Sequence, residues 1–382
     1  MNQRTMADLY YLAKGHKAAD VSNIPIAGYD RYIQIDDLRT NSNIKFAYDP
    51  RGTRVLPNDI CIAWDGANAG TVAYSLSGLI GSTIARLRPR EEKAIHTPFV
   101  GRFLQEKFNF LNEGSTGATI PHISKDRLMG LIVPFPEVSE QRRIAAILDK
   151  ADAIRRKRRE SIRLADDLVR GAVLILLGEA PDHRISIDNL LADQPNSIRT
   201  GPFGSQLLHS EFTESGIPVL GIDNAVTNRF RWAERRYVSE EKYKELSRYT
   251  VLPGDVIITI MGTTGRVCVA PDDLARCIST KHLCTMTTNR DKILPEYLWA
   301  SLLWDSAVRA QAAREGKGAI MEGWNMGIVR SLLIKVPTMS EQRRFVAFLK
   351  TVDVLREKLV CDAQNSDGLF TSLSHQAFAD QP

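Results

Sequence analysis

Ser139-Glu140-Gln141-Arg142-Arg143 recurs as Ser340-Glu341-Gln342-Arg343-Arg344, a shift of 201 positions (340 − 139). Five identical residues carry little by themselves, but their surroundings recur too. Each copy follows a short apolar strand ending in proline, Leu131-Ile132-Val133-Pro134 or Leu333-Ile334-Lys335-Val336-Pro337, and each opens a long run with heptad apolar spacing. Solenoid repeats span about 20 to 50 residues, so a period this long marks a duplicated domain-plus-helix unit. A chain that contains one unit twice is constrained to two similar domains about a pseudo-two-fold axis.

At 382 residues, with 25% charged and 43% hydrophobic residues, the chain can bury two cores and does not have a disordered composition. Its net charge of +5 permits a polyanionic partner without requiring one. Cys61, Cys268, Cys277, Cys284 and Cys361 form no CxxC pair and have no histidines at zinc spacing, so no metal site is expected. An odd cysteine count without a signal-peptide pattern fits the cytoplasm. The longest apolar run, residues 172–177, is far too short to span a membrane, and no membrane partner is expected.

The expected layout is α+β. A β-rich domain covers 1–136, a spacer helix 137–180, a second β-rich domain 181–338 and a second helix 339–382, the two long helices pairing antiparallel as a coiled coil. In the first half Tyr32-Ile33-Gln34-Ile35 alternates as a half-buried strand. Residues 59–64 run into the Gly-rich turn 65–70, residues 71–74 return, and 97–112 has helical spacing before the loop 114–121. The second half retraces this order through 217–223, 254–258, the turn 261–267, a helix over 295–314 and the loop 316–320. In it Thr280 aligns with Thr83. Residues 198–208 find no partner, which predicts an altered first domain at that place.

Ser139 and Ser340 are placed as N-caps, with Glu140 and Glu341 in the first turn, where the helix dipole favours an acid. Ile147, Ile154, Ser161, Leu168 and Ile175 recur every seven residues, flanked by Ile144, Ala151, Ala165 and Ala172. Phe348, Leu355, Asp362 and Leu369 do the same, flanked by Phe345, Val352, Leu359 and Leu373. These spacings predict a coiled-coil seam. On an antiparallel crossing, Ser161 meets Asp362 and Arg158 reaches Asp362 as a register pin. A helix from Ser139 to Leu177 is about 58 Å long, the length of a rigid spacer. Residues 365–368 are expected to break or kink the second helix. The basic run 155–159 reads equally as a solvated helix face or a phosphate contact. The repeated Glu-Gln-Arg-Arg reads as an exposed surface shown twice to identical partners, or as capping with local ion pairs.

Catalytic patterns are missing. There is no P-loop lysine, no Gly-rich strand-turn-helix for a nucleotide, and no Asp/Asn-Pro-Pro-aromatic tetrapeptide of an amino-methyltransferase. Pro181-Asp182 and Pro271-Asp272 lack the following acid-x-Lys of a nuclease. The turn 261–266 fits a hairpin better than a phosphate loop. The seven histidines show no paired spacing. The chain reads as a binder.

The duplicated strand-proline-Ser-Glu-Gln-Arg-Arg-helix pattern at Pro134/Ser139 and Pro337/Ser340 resembles the specificity (S) subunit of type I restriction–modification systems. The loops 114–121 and 199–208 and the strand 217–222 add to that resemblance. It implies two target-recognition domains, each reading half of a split double-stranded DNA site. It implies helices that set the gap and dock two modification (methyltransferase) subunits, through which restriction subunits join. No catalytic residues or cofactors are then expected in this chain. S-adenosylmethionine, ATP and magnesium belong to the partners. The expected DNA-contacting residues are Lys14, His16, Lys17, Asn68, Arg199, Ser205, Arg229, Arg231, Thr263, Thr264, Arg266, Lys281, His282 and Lys317, all in expected loops. The expected docking residues are Gln141, Arg142, Arg143, Gln342, Arg343 and Arg344. The alternatives are a specificity subunit of a type IIB-like enzyme and, in a different class, a self-contained methyltransferase or nuclease.

Overall fold

The computed structural model describes residues 3–40, 43–113, 122–233, 236–316 and 323–379. The loop 114–121 and Lys317 lie outside them. Two compact units result, Met1–Glu160 with Val360–Pro382 and Ser161–Leu359. Each holds one β-rich body and a stretch of both long helices, Val138–Glu179 (the central helix) and Met339–Phe378 (the C-terminal helix).

The first unit is built on a four-stranded antiparallel sheet, in the order Tyr10–Lys14, Ile84–Pro89, Ile60–Ala63, Val72–Tyr74. Residues Ile60 to Ala63 are all buried because both faces of that strand are covered. Ile60 and Ile62 meet Phe99 and Phe103 of the helix Thr97–Glu106, whereas Cys61 and Ala63 meet Ile33 and Ile80 of a second sheet. That second sheet is mixed, with Asp30–Ile33 parallel to Gly78–Ile80. A two-stranded ribbon, Gln3–Thr5 with Ile132–Pro134, leads into the central helix.

The second unit repeats the plan, except that its mixed sheet has four strands where that of the first unit has five, Asp20–Ser22 being the extra one. Its four-stranded sheet runs Ile198–Thr200, Leu283–Met286, Val256–Thr259, Val267–Val269. Its mixed sheet has Ile217–Leu220 parallel to Cys277–Ser279, and its ribbon pairs Arg184–Ser186 with Leu333–Lys335. The register corrects two expectations. Ile198 faces Met286 as Leu12 faces Leu87, so Leu12-Ala13-Lys14-Gly15 is the counterpart of Ile198-Arg199-Thr200-Gly201, and the first unit has that strand after all. A β-carbon on Gly15 would lie 2.3 Å from the Gly81 carbonyl, and one on Gly201 would lie 2.1 Å from the Ser279 carbonyl, so both copies need glycine at this close approach. The carbonyls of Thr83 and His282 accept from Trp64 and Ile260, so Thr83 matches His282, not Thr280. The helices expected over 97–112 and 295–314 are each broken in two, at Lys107 and Asp305.

The caps lie two residues earlier than expected, at Glu137 and Thr338. Thr338 and Glu341 form a reciprocal capping box, the Thr338 hydroxyl donating to Glu341 at 2.7 Å, and the Glu137 carbonyl accepts from Glu140 at the other helix. Ser139 and Ser340 sit inside the first turn. The C-terminal helix continues through 365–368, where Ser366 bonds back to the Asp362 carbonyl at 2.7 Å.

Within each unit the helix stretches run antiparallel. In the first, Ile144, Ala145 and Leu148 share a core with Phe378, whose ring lies 5.4 Å from that of Phe99. In the second, Ala165, Val169, Val173 and Leu176 pack with Phe345, Leu349 and Val352. The seam therefore follows the flanking positions. Ile147, Ile154, Leu168 and Ile175 are 41–65% exposed, as are Leu355 and Leu369 at 50% and 59%. Both sets repeat every seven residues, so the period alone could not choose between them. Arg158 does act as a pin, but it donates to the Asp362 backbone carbonyl and the Ser366 hydroxyl. The rest of the basic run is tied up as well. Arg155 and Arg156 pair with Asp152, and Arg159 pairs with Asp367 at 2.9 Å.

Candidate nucleic-acid interface

In the second unit the C-terminal ends of three strands and the start of a fourth converge on one rim. Gly201 follows the first, the short turn Ile222–Asn224 the second, and the loop to Arg266 the third, while residues 280–282 lead into Leu283–Met286. Backbone bonds knit them together. Thr280 N–H donates to the Leu220 carbonyl at 2.9 Å and Ile260 N–H to the His282 carbonyl at 2.8 Å. The buried Thr259 hydroxyl holds the loop from inside, donating to the Thr263 carbonyl and accepting from Arg266 N–H at 2.9 Å. Thr263, Arg266 and Lys281 are exposed on this rim and Thr264 and His282 half-buried. Burial, helped by Lys281 and Arg236, holds the His282 imidazole below its ordinary value. A neutral ring offers one donor and one acceptor.

The first unit builds the same rim from other residues. Lys14 lies 3.5 Å from Asp65 and over the Trp64 ring, His16 lies 2.9 Å from Asp49, and Lys17 is exposed. Asn68 accepts from Arg39 at 3.3 Å. Arg39 was missed because nothing in its sequence neighbourhood separates it from any surface arginine.

Two expected contact residues are committed elsewhere. Arg199 is on a strand, 6% exposed, and donates to buried Asp255, the Thr250 and Asn196 carbonyls and Thr287. Burial pushes the Asp255 carboxyl above its ordinary value despite those partners. The first unit solves the same problem from another strand, with Arg88 on Asp59 at 2.7 Å. Arg229 turns to the helices, pairing with Asp353 and lying 3.6 Å from Asp166. Ser205 is exposed in the short 3₁₀ helix Gly204–Gln206, not in the expected loop, and Arg231 is exposed on a loop of the second unit.

The repeated pentapeptide also divides by role. Gln141 and Gln342 are 0% exposed, which corrects their expected place on a docking surface. Gln141 accepts from His96 N–H at 2.9 Å and donates to the carbonyls of Ala94 (3.1 Å) and Pro136 (2.9 Å). Gln342 makes the same three bonds, to Leu294, Lys292 and Pro337. Each glutamine ties a helix start to the segment before a domain helix. Arg142, Arg143, Arg343 and Arg344 are exposed. Arg143 is chelated by Glu140 through two bonds of 2.7 Å, and it borders an apolar groove of about 310 Å³ floored by Ile144, Ile147, Leu148 and Leu373. The second unit has a matching groove of about 210 Å³ at Glu341, Arg344, Phe345, Phe348, Ile175 and Leu176.

Residues 4–164 match the family model described as the type I restriction modification DNA specificity domain. The chain is 23% identical to the type I restriction enzyme MjaVIII specificity subunit of Methanocaldococcus jannaschii over 92% of its own length and 86% of that protein. It is 20% identical to the type I restriction enzyme EcoBI specificity subunit of Escherichia coli, over 90% of its own length and 77% of that protein. Its fold resembles the crystal structure of a type I restriction–modification system S subunit from M. genitalium, with a TM-score of 0.61 at 15% identity, covering 100% of this chain and 96% of that one.

Proposed function

We propose that this chain, similar over most of its length to type I restriction–modification specificity subunits, is such a non-catalytic subunit and reads a bipartite double-stranded DNA site. Each unit reads one half-site with its rim. The observation that carries this reading is the duplication of the four-stranded sheet, the ribbon and the parallel pair of the mixed sheet, with different side chains on the two rims. Equivalent scaffolds aim equivalent loops, and divergent loops read different base edges. Lysine and arginine position each unit on phosphates, and polar loop residues read bases. The two long helices set the gap, because half-site spacing is a geometric quantity.

The matching grooves beside Arg143 and Arg344 take the same segment of two identical modification subunits, and restriction subunits join through those. S-adenosylmethionine, ATP and magnesium act in those partners, and the complex works on host DNA in the cytoplasm. Among the described residues no helix is long and apolar enough to cross a membrane. Mobility shifts on duplex DNA over a salt series provide the test. Affinity should fall steeply with salt, as for any protein that neutralises several phosphates. Salt-independent behaviour, or methyl transfer by the purified chain alone, contradicts the proposal.

A further inference from the structure

Beside the turn Ile222–Asn224 the second unit has an open cavity of about 600 Å³, lined in part by Asp223, Arg236, Thr280 and His282. Arg236 and Asp223 face each other there as a loose ion pair, Nη1 to Oδ1 3.5 Å, with side chains 37% and 32% exposed. A closed guanidinium–carboxylate fork has bonds of about 2.7–2.9 Å, so neither group's hydrogen-bonding capacity is exhausted by the other. Both lie over Gly221. A β-carbon on that residue would come within 2.6 Å of Arg236 Nη1 and 2.5 Å of Asp223 Oδ1. Glycine is what leaves room for the pair at the cavity.

The pair's chemistry selects its ligand. A phosphate is drawn to Arg236 but repelled by the carboxylate beside it. A G·C edge in the major groove needs both groups, since guanine O6 and N7 accept from an arginine fork and cytosine N4 donates to a carboxylate. The first unit carries a different set at these positions. Tyr32 faces Lys45 and Leu79 as Val219 faces Arg236 and Ile278, which puts Lys45, Gln34 and Asp36 where the second unit has Arg236, Gly221 and Asp223. Lysine is a point charge without the planar fork, and glutamine adds a side chain where the second unit keeps space. Resting on the reading of the rims as half-site readers, we propose that Arg236 and Asp223 read one G·C pair in the half-site of the second unit.

Methylomes of host cells carrying the wild-type chain, Arg236→Lys or Asp223→Asn, obtained by long-read sequencing, test this. The wild type should give a bipartite motif with an obligatory G·C pair in one half. Each variant should relax preference at that position by on the order of tenfold or more, leaving the other half-site and the gap unchanged. The unchanged half-site doubles as the control for folding and assembly. An unaltered motif in both variants overturns the proposal. So does a uniform loss of methylation with base preference intact, which would mark a phosphate contact. A wild-type motif that is not bipartite instead removes the half-site reading beneath it, a separate failure.

Discussion

Replacing Gln141 with alanine should damage the fold, although the residue lies in a segment that reads as a surface signature. Its side chain is fully buried and holds the His96 N–H and the Ala94 and Pro136 carbonyls. Truncation leaves three backbone groups without their partner. At about 0.5–1.5 kcal/mol net for each bond, the loss is about 1.5–4.5 kcal/mol. In a unit of this size that lowers the melting temperature by about 3–18 °C. Gln342→Ala removes the equivalent three bonds and should cost about as much. Thermal melting gives the magnitude, and hydrogen exchange gives the place, with faster exchange at His96 in one variant and at Leu294 in the other. The exposed double variant Arg142→Ala/Arg143→Ala should stay within about 0.5 kcal/mol of wild type. A Gln141→Ala protein that melts within about 1 °C of wild type, with the His96 amide still protected, would refute the glutamine pin.

Two further outcomes follow from the same packing. Arg199→Ala strands the buried Asp255 carboxylate and should destabilise the second unit by about 3–5 kcal/mol, measured by urea denaturation followed through Trp232, Trp299, Trp304 and Trp324; an unchanged midpoint would contradict a structural role. Burial opposes ionisation of Asp152, but Arg102, Arg156 and Arg155 hold its carboxyl below the ordinary value. A depressed carboxyl stabilises the fold above its unfolded value, and that contribution is lost as pH falls through the folded value. Stability of the first unit should therefore drop as pH falls below about 4, and Asp152→Asn should flatten that part of the profile; identical acid profiles for the two proteins would contradict it.

Much of this architecture was legible because duplication tests itself. The strands at 60–63 and 256–259 were visible as apolar runs, and the order of elements held in both halves. The misreadings have physical causes. Ala13-Lys14 looks unlike Arg199-Thr200 because the buried acids Asp59 and Asp255 draw their arginines from different strands, so the shared strand carries no shared side chain. The heptad seam was misplaced because the exposed row and the buried row have the same period. Gln141 passed for a surface residue because its partners are backbone groups distant in sequence. Thr263, Arg266 and Lys281 lie at strand-end turns, which turn glycines and polar residues mark in the sequence, whereas Lys14, expected in a loop, is the last residue of a strand. Arg236 and Asp223 could not be paired without the register.

The most direct measurement is the methylation motif in host DNA, read by long-read sequencing with the chain present and with its gene deleted. Two units with equivalent folds and different rims predict a motif in two dissimilar halves, separated by a fixed non-specific gap, that vanishes on deletion. A contiguous or palindromic motif, or one that persists without the chain, would contradict the half-site reading.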